Sequence, residues 1–249
     1  MAEAGDAIPL FEINPALDRA ALAAQFAQHR RLQIRDALTQ RSASELHDIL
    51  SRATEWGLSW QAGSGAAEHI RPSDMAQRSP EQRQLVGRQL MQAMQGLDYG
   101  FAYSAYPMVD AYKEGWHPGH PLELLLEHIN DAPFLDLMRE ITGIAELAKA
   151  DGQATLYGHG NFLSRHNDSH VAEGWRIAYV LNLTRQEWRP DWGGYLVFYD
   201  DEGDIIEGFR PRFNALNIFA VPQWHSVTYV PNFSPVGRYA VTGWLRDRI

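Results

Sequence analysis

Residues 153–168 read QATLYGHGNFLSRHND, a β-type run from Ala154 to Leu163 that carries on into the chain's single His-x-Asp, His166-Asn167-Asp168. Residues two apart in a strand share a side, so an imidazole and a carboxylate at this spacing can aim at one point. Onward from here, short β-type runs alternate with Gly, Asp, Pro and Asn: Arg176 to Leu183, Tyr195 to Tyr199, Ile205 to Phe209, Phe213 to Phe219, Ser226 to Val230 and Tyr239 to Leu245. With Leu32 to Ile34 as an eighth strand, these runs predict an antiparallel barrel or jelly roll whose faces are covered by helices of the first half.

Upstream, Ala16 to His29 places Leu17, Ala20, Leu22, Ala23 and Phe26 on one helical face. Ser42 with Glu45, and Ser79-Pro80 with Gln82, read as capping boxes that start helices ahead of Leu46 and Leu85. A further helix is expected from about Pro133 to Ile141, capped by Asn130 or Asp131 and stopped by Gly143. Ala62 to Arg78 and Tyr106 to His120 read as long irregular loops, candidates for the substrate entrance. The whole, 1–249, is expected to be one domain, with 1–150 as helical support and entrance loops and 151–249 as a metal-binding β core.

Composition narrows the chemistry. The chain has no cysteine, which removes disulfides and thiolate sites and leaves His and carboxylate as the strong metal ligands. A net charge of -9 argues against nucleic acid or anionic lipid as partners. Met1 to Leu10 lacks a basic start and an apolar run, and no stretch has the length of a membrane span, so a cytoplasmic protein is expected. Oligomeric state is not legible in the sequence.

His225, 57 positions after Asp168, is the candidate third ligand. Two imidazoles and one carboxylate on one side of an octahedral ion leave three positions open, as a non-haem Fe(II) needs for a bidentate keto acid and then O2. Alone, the His-x-Asp tripeptide reads more often as a hydrogen-bonded turn. Arg238, 13 positions after His225, opens the terminal run and can clamp the distal carboxylate of a five-carbon diacid with paired hydrogen bonds. Tyr157 can donate another to the same diacid, or be a core tyrosine. His159 and His170 flank the motif; the Gly, Asn and Asp around them argue against a helical metal pair, and both read as structural or solvated. Asp200, Asp201 and Asp204 read as a solvated turn.

From Tyr157 to Arg246 the sequence resembles the prolyl 4-hydroxylase branch of the 2-oxoglutarate oxygenases, in particular the catalytic domain of ribosomal-protein prolyl hydroxylases. The matching pieces are Leu163 to Asp168, Arg176 to Leu183, Trp192-Gly193-Gly194-Tyr195-Leu196, Pro211 to Phe219, His225-Ser226-Val227 and Arg238 to Trp244, together with Asn14 to Asp18 and Leu32 to Asp36 nearer the amino end. The resemblance implies a mainly β, cupin-like double-stranded β-helix with flanking N-terminal helices. It implies iron on His166, Asp168 and His225, 2-oxoglutarate between iron and Arg238 with Tyr157 as a second contact, and Trp244 on the pocket wall against substrate. The ribosomal enzymes carry a second, degenerate barrel after the catalytic one, which is not expected here, so the ribosomal substrate is not carried over with the resemblance. The activity implied is Fe(II)-, 2-oxoglutarate- and O2-dependent hydroxylation of an unactivated C–H, foremost of a prolyl residue in a protein or peptide. The alternatives are a free amino acid or other metabolite as acceptor and, in a different class, a non-catalytic binding barrel. A zinc hydrolase or cupin-like isomerase would more often show His-x-His or His-Glu-x-x-His, which are absent.

Overall fold

The alternation expected after Gln153 is realised as antiparallel pairs, and more of them than the sequence announces. The computed structural model describes residues 10–95, 99–168 and 171–248. From the amino end, α1 (Arg19–His29) leads into β1 (Arg31–Arg35), and α2 (Gln40–Asp48) unwinds through a π turn into β2 (Gly57–Ala62), β3 (Glu68–Ile70), α3 (Pro72–Gln77), α4 (Pro80–Gln95) and β4 (Gly100–Tyr106). Then follow α5 (Met108–Glu114), α6 (Pro121–His128), α7 (Ala132–Thr142), β5 (Lys149–Ala150), β6 (Gln153–Tyr157), β7 (Phe162–His166) and β8 (Trp175–Asn182). The chain closes with β9 (Leu196–Tyr199), β10 (Ile205–Phe209), β11 (Ala215–Ala220), β12 (His225–Val227) and β13 (Arg238–Arg246).

Strand order is β1-β11-β8-β13-β6-β4-β7-β12-β9-β10, with β2 and β3 extending from β4 and β5 from β13. The two ends of this path meet through side chains: Arg31 of β1 pairs with Glu207 of β10, and Gln33 Nε2 donates to the Arg210 carbonyl at 3.0 Å. The sheet therefore rolls into the double-stranded β-helix that the sequence implied.

Strand β8 shows how the roll is packed. Ile177, Tyr179 and Leu181 point to the helices, joining Phe26, Leu46, Leu50, Phe134, Met138 and Ile141 in one core. Ala178 and Val180, on the opposite face, join Leu196, Phe198 and Phe219 inside the roll. A strand buried on both faces reads as an unbroken apolar run, which is what Arg176 to Leu183 offers. No helix among the described residues is long and apolar enough to cross a membrane.

Helix starts follow the capping logic with one displacement. Ser79 and Gln82 form the reciprocal box, Ser79 N to Gln82 Oε1 at 2.8 Å and Gln82 N to Ser79 Oγ at 3.3 Å. Asp131 and Gly143, the latter at φ 71, bound α7. Helix α2 is capped at Thr39, three residues before Ser42, because the Thr39 hydroxyl accepts from Ser42 N and Ser42 Oγ is engaged by Glu12 N.

Three expectations need correction. The first half is not simply helical: β2, β3 and β4 lie in it. Gly100–Tyr106 alternates Phe101 and Tyr103 with smaller residues, a two-residue period that small size and a central serine disguise. Neither 62–78 nor 106–120 is irregular throughout. The first holds β3, too short to show a period and ordered by pairing Ser59 with His69, and α3; the second holds α5, opened by Pro107 and ended by Gly115 at φ 62. Finally, the run from Ala154 breaks into β6 and β7 at a turn in which Asn161 Oδ1 accepts from Gly158 N at 2.8 Å.

Candidate metal centre and its cavity

His166 ends β7 and His225 begins β12, and the two are direct partners across the antiparallel pair. Directly opposed residues put their side chains on one face, and here the ring centroids stand 4.1 Å apart. Asp168 follows two residues after the strand at φ 52, a left-handed conformation that Asp tolerates better than most residues, and this turn swings its carboxylate back over the two rings. One donor atom from each of the three lies within 4.8 Å of the others.

Hydrogen bonds fix which ring nitrogens face inward. His166 Nδ1 lies 2.9 Å from the Ser164 carbonyl and His225 Nδ1 lies 2.8 Å from the Gln223 carbonyl. A carbonyl only accepts, so each Nδ1 carries the proton and each Nε2 keeps its lone pair. Those lone pairs face carboxylate oxygens, with His166 Nε2 3.3 Å from Asp168 Oδ1 and His225 Nε2 3.4 Å from Oδ2. Lone pair against lone pair is repulsive unless a cation lies between them. A proton is disfavoured at His225, because burial, followed by the charge of His166, lowers it to about 4. A divalent ion fits: cis ligands each about 2.1 Å from one octahedral ion stand roughly 3 Å apart.

The carboxylate is held from behind. Trp244 Nε1 donates to Asp168 Oδ2 at 3.0 Å, and the indole stacks on Trp175 with centroids 4.1 Å apart. Burial pushes the Asp168 carboxyl up, and the Trp244 N–H opposes that by favouring the carboxylate. Ligand-orienting hydrogen bonds of this kind set the geometry and basicity of a metal site.

Arg238, the first residue of β13, is paired with Tyr157 of β6 and is only 2% exposed. Its Nε donates to Asn182 Oδ1 at 3.1 Å and its Nη1 to the Gly194 carbonyl at 2.9 Å. Burial lowers its pKa to about 10, which leaves it charged at neutral pH. Among the described residues no carboxylate lies within ion-pair reach, and a buried cation of this kind calls for an anionic partner. Tyr157, buried and stacked on Tyr103 at 4.9 Å, has the guanidinium 5.6 Å from its ring centre.

The residues that seat Arg238 escaped the sequence reading. Gly194 is held by its neighbourhood: Trp188 Nε1 donates to the Gly193 carbonyl at 2.8 Å, and Gly193 sits at φ 61 with room only for hydrogen, since a Cβ there would come 1.9 Å from the Tyr229 carbonyl. The Gly193-Gly194 pair was the available signal. Asn182 was legible only as the last polar position of a buried strand.

All six expected residues line one cavity of about 730 Å³, a size ordinary for small-molecule sites. Tyr99, Phe101 and Tyr103 of the β4 region and Trp175 also line it, as do Ser59, Gln61 and His69. His159 is bonded to the Ser234 carbonyl and is outside the cluster. His170 lies outside the described residues. The Asp200 turn is closed on itself by Asp204 N donating to Asp200 Oδ1 at 2.9 Å.

Residues 152–246, the span of β6 to β13, match the family model of the 2OG-Fe(II) oxygenase superfamily. No curated protein matches the chain in sequence. Its fold is similar to that of a Pseudomonas putida prolyl-4-hydroxylase, at 19% identity and TM-score 0.57 over 92% of this chain and 99% of that one. It is also similar to a 2OG-Fe(II) oxygenase family oxidoreductase from Burkholderia pseudomallei, at 14% identity and TM-score 0.59 over 96% and 94%. A third similar structure is a Trichoplax adhaerens prolyl hydroxylase in complex with a hypoxia inducible factor oxygen degradation domain peptide, at 14% identity and TM-score 0.57 over 92% and 89%. At these identities the likeness is one of fold.

Proposed function

We propose that this chain, whose β core of residues 152–246 is that of a 2-oxoglutarate- and Fe(II)-dependent oxygenase, hydroxylates an unactivated C–H of a prolyl residue in a protein or peptide. The observation that carries the reading is two Nε2 lone pairs and a carboxylate gathered at one point of a cavity that also holds a buried guanidinium with no carboxylate partner among the described residues. When bound, Fe(II) supplies the coupling of 2-oxoglutarate decarboxylation by O2, giving succinate and carbon dioxide, to insertion of the second oxygen atom into the substrate C–H.

The chain's own part is binding and positioning. His166, Asp168 and His225 hold the metal, and the Ser164 and Gln223 carbonyls keep both rings in the ligating tautomer. Arg238, aimed by Asn182 and Gly194, takes the distal carboxylate of 2-oxoglutarate, with the Tyr157 hydroxyl as a second donor. Trp244 keeps one Asp168 oxygen occupied and forms wall with Trp175. Aromatic faces at Tyr99, Phe101, Trp175 and Trp244 exclude water and suit the compact, apolar pyrrolidine ring of a proline. The prolyl acceptor is supported by the fold likeness to two prolyl hydroxylases, one of them with a peptide bound.

The test is turnover with Fe(II), 2-oxoglutarate and proline-containing peptides. The expected result is peptide-stimulated succinate release with a mass gain of one oxygen on proline, derived from dioxygen. Succinate release stimulated by free amino acids and by no peptide would move the acceptor to the metabolite class.

A further inference from the structure

We infer that Arg35, Arg210 and Arg212 form a second anion site, separate from the metal cavity, that takes a phosphate group. None of the three lines that cavity. They meet at the seam of the roll, where β1 faces β10 and the turn that leads on into β11. On β1, Arg31, Gln33 and Arg35 share one face, while Leu32 and Ile34 turn to the core beneath the helices. Gln33, directly opposite Asn217 of β11, joins the parts. Its Nε2 donates to the Arg210 carbonyl at 3.0 Å and to Asn217 Oδ1 at 2.9 Å, and its Oε1 accepts from Arg212 Nη1.

These bonds fix the orientation of both amides, and the groups they leave over are donors only. Asn217 is 1% exposed, and with its Oδ1 turned to Gln33 its buried Nδ2 meets no acceptor. The Nε of Arg210 is buried and meets none either. The charges are equally unmatched. Among the described residues Arg35, Arg210 and Arg212 form no ion pair; Glu207, on the same seam, is taken by Arg31, and Asp36, next to Arg35, pairs with none of the three. Burial lowers the pKa of Arg212, and the charges of Arg35 and Arg210 lower it further, so the three guanidinium groups repel one another at short range.

Like charges held together beside buried N–H groups without acceptors are stabilised by an anion that is itself rich in acceptors. A phosphate group presents oxygens on every side and carries up to two negative charges, and the guanidinium fork matches its edges. In a chain of net charge -9 this seam is a local reversal of sign.

The experiment is calorimetric titration of inorganic phosphate, and separately of glycerol 3-phosphate, at constant ionic strength. The protein is loaded anaerobically with Fe(II) and 2-oxoglutarate, so that the metal and Arg238 are already engaged. The expected result is one saturable site per chain, bound roughly tenfold or more weakly by the double variant Arg210→Gln with Arg212→Gln. The visible 2-oxoglutarate band and the circular dichroism of that variant should be unchanged. Tighter binding of the ester marks a phosphorylated ligand and tighter binding of free phosphate marks the inorganic anion; both support the site. Where the double variant fails to fold, the exposed Arg35→Gln carries the test and should weaken binding by about threefold. No saturable heat from either anion, or binding that is unweakened in the folded variants, overturns the inference.

Discussion

Replacing Trp244 by Phe isolates one contact of the metal site. The substitution removes the 3.0 Å hydrogen bond from Nε1 to Asp168 Oδ2 and leaves an aromatic ring to stack on Trp175 at the 4.1 Å spacing of the pair. A hydrogen bond to a charged, largely buried carboxylate contributes about 1.5–3 kcal/mol, which is roughly 10- to 100-fold in metal affinity, the range that ligand-orienting partners usually command. Without the indole N–H, Oδ2 is free to compete with Oδ1, and the carboxylate turns away from the geometry set by His166 and His225. The assay is competitive titration of Fe(II), Mn(II) or Co(II) into the metal-free protein at neutral pH, with circular dichroism to confirm the fold. Metal affinity within twofold of the parent, in a folded Trp244→Phe protein, would refute the argument and leave Trp244 as a wall residue only.

Three further outcomes follow from the same geometry. Arg238→Lys keeps the charge but loses the fork held by Asn182 and Gly194, so 2-oxoglutarate should bind roughly 10- to 100-fold more weakly with metal affinity unchanged, as read by anaerobic titration of each. Gly193→Ala, forced into the Tyr229 carbonyl at a positive φ, should cost about 2–4 kcal/mol and lower Tm in calorimetry, with loss of 2-oxoglutarate binding in whatever folds. The pH dependence has a definite sign: His225, lowered in the fold to about 4 from 6.5, binds its proton more readily when unfolded, so its contribution is complete above pH 6.5 and is lost as pH falls toward 4. Between pH 7 and 5 urea unfolding of the metal-free protein should lose roughly 2 kcal/mol through this group, and His225→Asn should flatten that slope.

The gathering of His166, Asp168 and His225 at one point was legible because strand period and spacing are properties of the sequence itself. His166 and Asp168 sit at one strand's end, and the run that begins at His225 supplies a facing strand. Arg238 was legible as a charge at the start of an apolar strand, where a buried cation calls for an anion. The tautomer locks at Ser164 and Gln223 were not, since backbone carbonyls leave no side-chain signature. The β2 to β4 wall was missed because its strands are short or small-residued and their partners are distant in sequence: Ser59 meets Tyr103, and Phe101 meets Leu163. The same long-range pairing turned two expected loops into a strand and two helices, and split one expected strand at Gly158. Asn182 and Gly194 hold Arg238 through contacts that only folding creates.

The most direct test of the central claim is anaerobic titration of the Fe(II)-loaded protein with 2-oxoglutarate, watching for the weak visible charge-transfer band of a chelated keto acid. The account predicts a band in the parent that is lost in His166→Ala, requires far more 2-oxoglutarate in Arg238→Ala, and bleaches on oxygen with release of succinate. A folded, iron-loaded parent that gives neither the band nor measurable 2-oxoglutarate binding would contradict it.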